Sequence, residues 1–430
     1  MRILIATVGG KPQPIRQSII QNRPDKIWFI CSDDAESTRG SYTQIEEIIK
    51  GLPHPLPTYE VVKLKELDNV CVCHETSSEL INRVRKDYPA AEITADFSGG
   101  TKPMTAGLAI AATGHSDIRL SFVSGTRADL RQVVPGTESV RLLLPTSILL
   151  ERYRELAGAA FKRFDYASAV DICRMALAIP GIDSRGSANF QYWLTLALAY
   201  RAWDDFDHTG AWRLLSLLKR YEPKQCAFLE AVIWSRRVLA PDYGKDLNGI
   251  TARNKGHGYE LVEDLIMNAK RSAEATRFDD SAARLYRATE LLLQLRLKLA
   301  HGIENGNVDT GLLPADLQSR YEQMRNYRGY IELALMKSLQ LLVDLSEAKI
   351  NEPLGPLLKN RRNEIRNFIE KRNVSILAHG VSPIRQTDFQ KMEAEVCGLV
   401  DTAFKTMKLK SCISPVQLPS SLPQPPPSGA

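Results

Sequence analysis

One stretch indicates the fold of the first part of the chain: Asp96-Phe97-Ser98-Gly99-Gly100-Thr101-Lys102-Pro103-Met104-Thr105-Ala106-Gly107. It joins a β-rich run to a stretch of small residues with helical spacing. Two glycines allow backbone N–H groups to turn toward an anion, while Thr101 adds a hydroxyl and Lys102 a positive charge. Pro103 stands where a first helical turn tolerates proline. We predict a strand, a phosphate-binding loop and a helix, although by itself the stretch also fits a plain tight turn.

Residues 1–145 repeat this alternation of β-rich runs and helix-like stretches. It predicts an α/β domain in which helices cross over between parallel strands of a doubly wound sheet. The predicted helices are 43–50, 76–85 and 102–112. The predicted strands are 3–8, 26–31, 59–64, 92–96, 119–123 and 131–134. The last two strands are expected to form a hairpin at one edge, followed by Pro135-Gly136.

Small, polar or basic loops follow several of these strands. Besides 98–102, they are Val8-Gly9-Gly10-Lys11, Cys31-Ser32-Asp33-Asp34 and Ser124-Gly125-Thr126-Arg127. Because the carboxyl ends of parallel strands meet at one edge of a sheet, we expect the loops to line one crevice. They contain no histidine, so binding of a phosphate-rich ligand is favoured over chemistry on it. The G-x-x-x-x-G-K-[ST] spacing of a P-loop is absent.

Composition sets the broad class of the protein. The chain has 430 residues, of which 44% are hydrophobic, with a formal net charge of +6. That is enough for two or three ordinary cores, and the mild basic excess permits an anionic ligand or nucleic acid. No apolar run reaches the length of a membrane span, and no signal-peptide pattern is present. Seven scattered cysteines do not suit a disulfide framework, so we expect a soluble, cytoplasmic protein.

From about residue 147 to 407 the composition is almost entirely helix-forming, which predicts an all-α second half. A Phe-Asp pair followed by alanine recurs at 164, 206 and 278, and each aspartate is expected to cap a helix. The unequal intervals favour related helical hairpins over a regular repeat, with a TPR-like adaptor as the alternative for 150–240. The tail 414–430 has six prolines and no charge, which predicts disorder.

A second polar constellation lies in residues 366–380, where Arg372 and His379 are seven residues apart. On one continuous helix both side chains would project from the same face, with Gly380 and Pro383 as its stop. Histidine can move a proton at the 2′-hydroxyl or the leaving oxygen of RNA, while arginine stabilises charge on the phosphate. Asn373 could orient either group. The alternative is a surface helix whose histidine caps its own carbonyls.

The surroundings of this pair add two expectations. Residues 359–372 hold six basic and two acidic side chains, which suits a polyanion. One arginine and one histidine do not easily supply both an acid and a base, so we predict a symmetric dimer that brings two copies together. A metal is not favoured, because Cys71-Val72-Cys73-His74 has no second Cys/His pair at ligand spacing.

Two known domains resemble these two constellations. The unit 96–107, with Thr7-Val8-Gly9 at the end of the first strand, resembles the CARF domain of type III CRISPR ancillary proteins. Arg372-Asn373 followed by Ala378-His379 is similar to the R-x(4–6)-H motif of HEPN ribonucleases, at the long end of its spacing. Residues 277–291 resemble a helix of the HEPN side. The order of sensor, helical connector and nuclease is that of CARF–HEPN effectors.

The resemblance implies a Rossmann-like CARF sensor at 1–146, a helical connector at 147–250, a HEPN domain at 251–410 and a disordered tail at 411–430. It implies a homodimer that cuts single-stranded RNA in type III CRISPR defence when a cyclic oligoadenylate binds. No metal or other cofactor is then expected, because the 2′-hydroxyl is the nucleophile. The alternative is a catalytically silent sensor that acts through a protein or nucleic-acid partner.

The resemblance also assigns the site residues. The catalytic residues would be Arg372, Asn373 and His379. Some family members also cleave their activator, a role that Lys102 with Ser98 or Thr101 could support. The ligand-binding residues would be Gly9, Gly10, Lys11, Ser32, Asp33, Ser98, Gly99, Gly100, Thr101 and Lys102.

Overall fold

The computed structural model describes residues 1–34, 39–126, 137–410 and 413–426. The chain divides into two compact units, one of Met1–Leu156 with Ile172–Phe190 and one of Ala157–Asp171 with Gln191–Ala430. This division differs from the segments expected from the sequence, because residues 147–190 are shared between the two units. Among the described helices, none has the length and apolarity needed to cross a membrane.

A six-stranded sheet with the order β3-β2-β1-β4-β5-β6 organises the first unit. The strands β1 to β5 are parallel, and β6 pairs antiparallel with β5 at one edge. This confirms the predicted doubly wound, Rossmann-like α/β fold. The predicted strand 131–134 and Pro135-Gly136 lie outside the described residues. The strands are β1 (Arg2–Thr7), β2 (Lys26–Ser32), β3 (Thr58–Leu64), β4 (Glu92–Asp96), β5 (Arg119–Ser124) and β6 (Ser139–Leu143).

Helices cover the sheet on both faces: α1 (Pro12–Asn22), α2 (Ile45–Lys50), α3 (Val70–Asp87) and α4 (Lys102–Ala112). Alternate residues of β1 enter two separate cores, because successive side chains of a strand point to opposite faces. Ile3 packs in the core that contains residues of α3 and α4. Leu4 packs in the core that contains residues of α1 and α2. The central strands β1 and β2 are therefore buried on both faces, as a covered parallel sheet requires, whereas the edge strands β3 and β6 are largely exposed.

The remainder of the described chain is helical, which confirms the predicted all-α second half. The largest core of the second unit is built mainly by α10, α11, α13 and α16. The helices are α5 (Thr146–Lys162), α6 (Tyr166–Leu177), α7 (Ser184–Asp204), α8 (His208–Leu215), α9 (Pro223–Arg237), α10 (Glu260–Glu274), α11 (Phe278–His301), α12 (Ala315–Glu322), α13 (Leu335–Glu347), α14 (Gly355–Asn360), α15 (Arg362–Asn373) and α16 (Gln386–Thr406).

Two of the three Phe-Asp pairs cap helices as predicted. Asp165 accepts a hydrogen bond from the Ser168 amide at 3.1 Å, and Asp207 accepts one from the Gly210 amide at 2.8 Å. The prediction is wrong for Asp279. Because α11 begins at Phe278, this carboxylate lies within the first helical turn, where it accepts from the amide of Ile384.

The predicted disorder of the tail is wrong for its described residues, 413–426. Leu418 is buried, and the indole Nε1 of Trp193 donates to the Pro423 carbonyl at 2.8 Å. Composition misled the prediction, because an uncharged, proline-rich segment can also lie in a groove that supplies donors to its carbonyls.

Candidate functional site

The crevice predicted in the first unit lies where the strand order reverses. The chain runs outward from β1 to β2 and β3, then returns to place β4 on the other side of β1. In an open α/β sheet, ligands bind outside the carboxyl ends of the strands at this switch point. The loop after β1 carries Gly9, Gly10 and Lys11, and the loop after β4 carries residues 98–101. The topology therefore brings these two predicted loops together.

The two loops touch at backbone distance, which explains their glycines. A Cβ added to Gly9 would lie 2.6 Å from the Gly100 amide nitrogen. A Cβ added to Gly99 would lie 2.8 Å from the Thr7 carbonyl oxygen, and the Thr7 hydroxyl donates to the Gly99 carbonyl. Gly100 has a φ of +102°, a conformation that favours glycine. Side chains at these positions would push the loops apart.

The helices that follow these loops begin at the same crevice. The residues before α1 and α4 are Lys11 and Thr101, and neither side chain caps its helix. The N–H groups of the first turns and the positive end of each helix dipole are therefore available to an anion. Lys11 and Lys102 are exposed beside them. These features fit a phosphate-bearing ligand.

A buried carboxylate fixes the β4 loop. Asp96 accepts hydrogen bonds from the hydroxyls of Ser18 at 2.6 Å and Ser121 at 2.7 Å, and from the Ser98 amide at 3.0 Å. Burial raises the pKa of the Asp96 carboxyl, and these hydrogen bonds oppose the rise. The Ser98 hydroxyl accepts from the Val123 amide at 2.8 Å, while the Thr101 hydroxyl faces the Leu67 carbonyl at 3.3 Å. Both hydroxyls hold the loop in place.

Two other predicted ligand residues are engaged at the end of β2. The Ser32 hydroxyl accepts from the Ser41 amide at 2.6 Å, and the Ser32 amide donates to the Ser41 hydroxyl at 2.9 Å. Asp33 pairs with Lys63 at 2.9 Å, and this hydrogen bond lowers the pKa of the Asp33 carboxyl. Both side chains therefore have local partners. Arg127 of the predicted fourth loop lies outside the described residues.

In the second unit, the prediction that Arg372 and His379 share one helix is wrong. Helix α15 ends at Asn373, and His379 lies in the turn that follows. Valine, serine and isoleucine at 374–376 are weaker helix formers, and the chain turns back after them. The His379 amide donates to the Asn373 carbonyl at 3.1 Å. The turn thus returns an exposed histidine to the end of the helix that carries Arg372.

Arg372 is held in place on two sides. Its Nη1 donates to the Asn373 side-chain oxygen at 3.2 Å, and its Cζ lies 4.7 Å from the centre of the Tyr286 ring. The Tyr286 ring stacks in turn on Phe368, with centroids 6.5 Å apart. Tyr286 was not among the predicted site residues, although it lies in the segment 277–291. This contact between α11 and α15 places the guanidinium beside the turn.

Exposed apolar side chains surround the same turn. Val374, Ile376 and Leu377 are each more than half exposed, and Val381 is 86% exposed. Such a cluster beside polar residues is typical of a surface that another chain covers. Among the described residues, no group of three or more His, Cys, Asp or Glu is arranged to hold a metal ion.

Comparison with known proteins identifies this helical domain. Residues 250–402 match the family model described as the Csm6 HEPN domain. The chain is also 27% identical over 329 residues to the CRISPR system endoribonuclease Csm6 of Thermus thermophilus, over 70% of this chain and 66% of that protein. The helical domain of this chain is thus similar to the Csm6 HEPN domain. The CARF–HEPN resemblance predicted from the sequence is therefore confirmed.

A solved structure extends the similarity of this chain to the fold of both units. Csm6 of Enterococcus italicus, bound to cyclic hexa-2′-fluoro-hexa-dAMP, matches with a TM-score of 0.58 and 11% sequence identity. The match covers 94% of this chain and 95% of the other. At this level of identity the similarity concerns the fold.

Proposed function

We propose that this protein is an endoribonuclease of type III CRISPR defence that cuts single-stranded RNA when a cyclic oligoadenylate binds. The observation that carries the proposal is the turn that places exposed His379 beside Asn373 and Arg372 in the domain that matches the Csm6 HEPN model. The Thermus relative is described as an endoribonuclease, and the Enterococcus structure of similar fold holds a cyclic hexanucleotide analogue. Both support the proposal.

The turn suits cleavage by the RNA's own 2′-hydroxyl. The 2′-oxygen attacks the adjacent phosphorus and loses its proton, while the bond from phosphorus to the 5′-oxygen breaks and that oxygen gains a proton. His379 moves a proton at one of these oxygens. Arg372 stabilises the charge that develops on the phosphate, and Asn373 orients the reacting group. We propose that this reaction needs no metal, because the nucleophile belongs to the substrate.

The crevice of the first unit suits the activator. Its glycine loops let phosphates approach the backbone, and α1 and α4 direct uncapped N-termini toward it. We assign phosphate contacts to Gly9, Gly10, Lys11 and residues 99–102. Because Ser32, Asp33 and Ser98 have local partners, we propose that they shape the crevice.

The test is RNA cleavage by the purified full-length chain with and without cyclic tetra- or hexaadenylate, each with and without EDTA. We expect cleavage only with an activator, at a rate that EDTA leaves unchanged. Absence of cleavage at every activator concentration would contradict the proposal and favour the silent sensor. Loss of activity in EDTA would contradict the metal-free reaction alone. Analysis of the activator after each reaction tests for ring cleavage.

Reversal of the charge at Lys102 is expected to weaken activator binding. Lys102→Glu places a carboxylate at the start of α4, where it repels phosphates, and we expect an affinity about 10- to 100-fold lower. Cleavage should then return at high activator concentration. Isothermal titration calorimetry measures the affinity. Lys86→Glu, in the last turn of α3, is the control and should bind the activator normally. An equal loss of affinity in this variant would contradict the assignment of Lys102 to the activator site.

Removal of the ring beneath Arg372 is expected to slow cleavage without affecting activator binding. Tyr286→Leu deletes the cation–π contact, which is worth up to about 2 kcal/mol, so we expect the rate to fall roughly 5- to 30-fold. Single-turnover cleavage at saturating activator measures the effect. Tyr286→Phe keeps a ring and should retain most of the rate. Equal rates for the leucine variant and the wild type would contradict this role of Tyr286.

The exposed cluster of Val374, Ile376, Leu377 and Val381 suits a second copy of the chain, which would also supply a second Arg372 and His379. A carboxylate in an apolar interface is costly. We therefore expect Val381→Asp to shift the protein toward a monomer in sedimentation and to lower cleavage at least about tenfold. Leu217→Asp, at another exposed apolar side chain, is the control. A fully active monomeric Val381→Asp variant would contradict the dimer.

A further inference from the structure

The described part of the C-terminal tail, residues 413–426, lies in a groove of the second unit. We call this stretch the tail segment. It begins beyond residue 402, where the match to the HEPN model ends. The groove is formed by residues of α5, α6, α7 and α10. Neither a helix nor a strand forms within the segment, so side chains of the groove hold it in place.

A glutamine anchors one end of the tail segment. The Gln417 side-chain oxygen accepts a hydrogen bond from Nη1 of Arg271 at 2.6 Å, and its nitrogen donates to the Met267 carbonyl at 3.1 Å. Arg271 is 1% exposed and also pairs with Asp204 at 2.8 Å. A buried guanidinium is costly when it lacks partners. Gln417 therefore supplies a partner for Nη1 of a buried guanidinium, while Asp204 accepts from its Nε.

Proline residues and leucine form the remaining contacts. The Tyr166 hydroxyl donates to the Pro419 carbonyl at 3.2 Å, and the indole of Trp193 donates to the Pro423 carbonyl at 2.8 Å. Both aromatic rings are buried. Leu418, which lies between Gln417 and Pro419 in the sequence, is buried as well. Aromatic side chains that donate to the carbonyls of an extended proline-rich peptide are a common way to recognise such peptides. The groove has the chemistry of such a site.

We propose that this groove is a peptide-binding site specific for extended segments with the pattern Gln-Leu-Pro-x-x-Leu-Pro, and that the chain's own residues 417–423 are its resident ligand. The glutamine accepts a hydrogen bond from the buried arginine, and the leucine at position 418 fills the apolar part of the groove. The carbonyls of two prolines accept hydrogen bonds from the aromatic side chains. Because no strand pairing ties the segment into a sheet, we expect a peptide of the same sequence to compete with it for these hydrogen bonds. This inference is independent of the ribonuclease activity.

The test uses the full chain with a specific protease site inserted between Lys410 and Ser411. After folding and cleavage, gel filtration with mass spectrometry shows whether the tail stays bound to the remainder of the chain. Labelled synthetic peptides of residues 413–426 are then added, and fluorescence anisotropy reports their exchange into the groove. The groove itself stays wild type throughout, so a folding defect cannot imitate a loss of binding.

We expect the cut tail to co-elute and the wild-type peptide to replace it. A peptide with Leu418→Asp should bind about tenfold or more weakly, because it places a charge where the leucine is buried. A peptide with Ser420→Asp is the matched control and should bind like the wild type, since Ser420 is exposed. Loss of the tail on cutting without rebinding, failure of the wild-type peptide to exchange, or equal binding of the Leu418→Asp peptide would each overturn the proposal.

Discussion

Arg372→Ala and His379→Ala are each expected to lower activated RNA cleavage about 100- to 1,000-fold while activator affinity stays unchanged. The first substitution removes the positive charge that stabilises the phosphate, and the second removes the group that moves the proton. Quenched cleavage of a labelled single-stranded RNA at saturating cyclic oligoadenylate measures the rate. Calorimetry with the same ligand measures its affinity.

The matched control for this pair is Arg366→Ala. Arg366 is an exposed arginine on the same helix, α15, so its removal changes the net charge equally. We expect this variant to keep most of its activity. If all three variants were equally impaired, the basic surface of α15 would account for the activity. Loss of activator binding in the Arg372→Ala and His379→Ala variants would contradict the assignment of RNA cleavage and activator binding to separate sites.

Gly380→Ala is expected to have a similarly large effect although residue 380 carries no reactive group. An added Cβ would overlap the carbonyl oxygen of Val374 and lie 2.5 Å from its Cα. Both belong to the backbone, which cannot move aside as a flexible side chain can. The turn that returns His379 to Asn373 must therefore open, and we expect cleavage to fall at least about 100-fold, the same loss that we expect when the histidine is removed.

Gly398→Ala is the control for this substitution. Gly398 lies within α16, and nothing lies within 4 Å of an added Cβ. Alanine favours a helix more than glycine, so this variant should cut RNA normally and melt at a slightly higher temperature. Normal cleavage by Gly380→Ala would contradict the role assigned to the turn. Circular dichroism of both variants separates a local effect from unfolding.

The fold of the first unit could be predicted from the sequence because its central strands, β1 and β2, are short apolar runs buried on both faces. Residues 3–6 supply both cores of the sheet in alternation, and glycine-rich loops follow β1 and β4. Periodicity and turn chemistry are local properties, so they are visible in the sequence. The position of the crevice could be predicted from these properties, because the loops after parallel strands lie at the same edge of the sheet.

The features that the sequence did not show depend on contacts distant in the chain. Helix α15 stops at Asn373, and close packing of Gly380 against Val374 shapes the turn that follows. Tyr286 joins the site only because α11 lies against α15. The Ser32 hydroxyl accepts a hydrogen bond from the Ser41 amide, and the spacing of residues in the sequence did not indicate this partner. The tail segment is ordered by donors on helices far away in the sequence, so composition alone predicted disorder.

We propose that an anion held in the crevice of the first unit controls the RNA-cleaving turn of the second. The decisive experiment measures the single-turnover rate of RNA cleavage, titrated with cyclic tetra- and hexaadenylate, for the wild type, Lys102→Glu and His379→Ala. We expect a saturating rise in the rate for the wild type, the same plateau at higher ligand concentration for Lys102→Glu, and no rise for His379→Ala. A wild-type rate that does not depend on either ligand would contradict it.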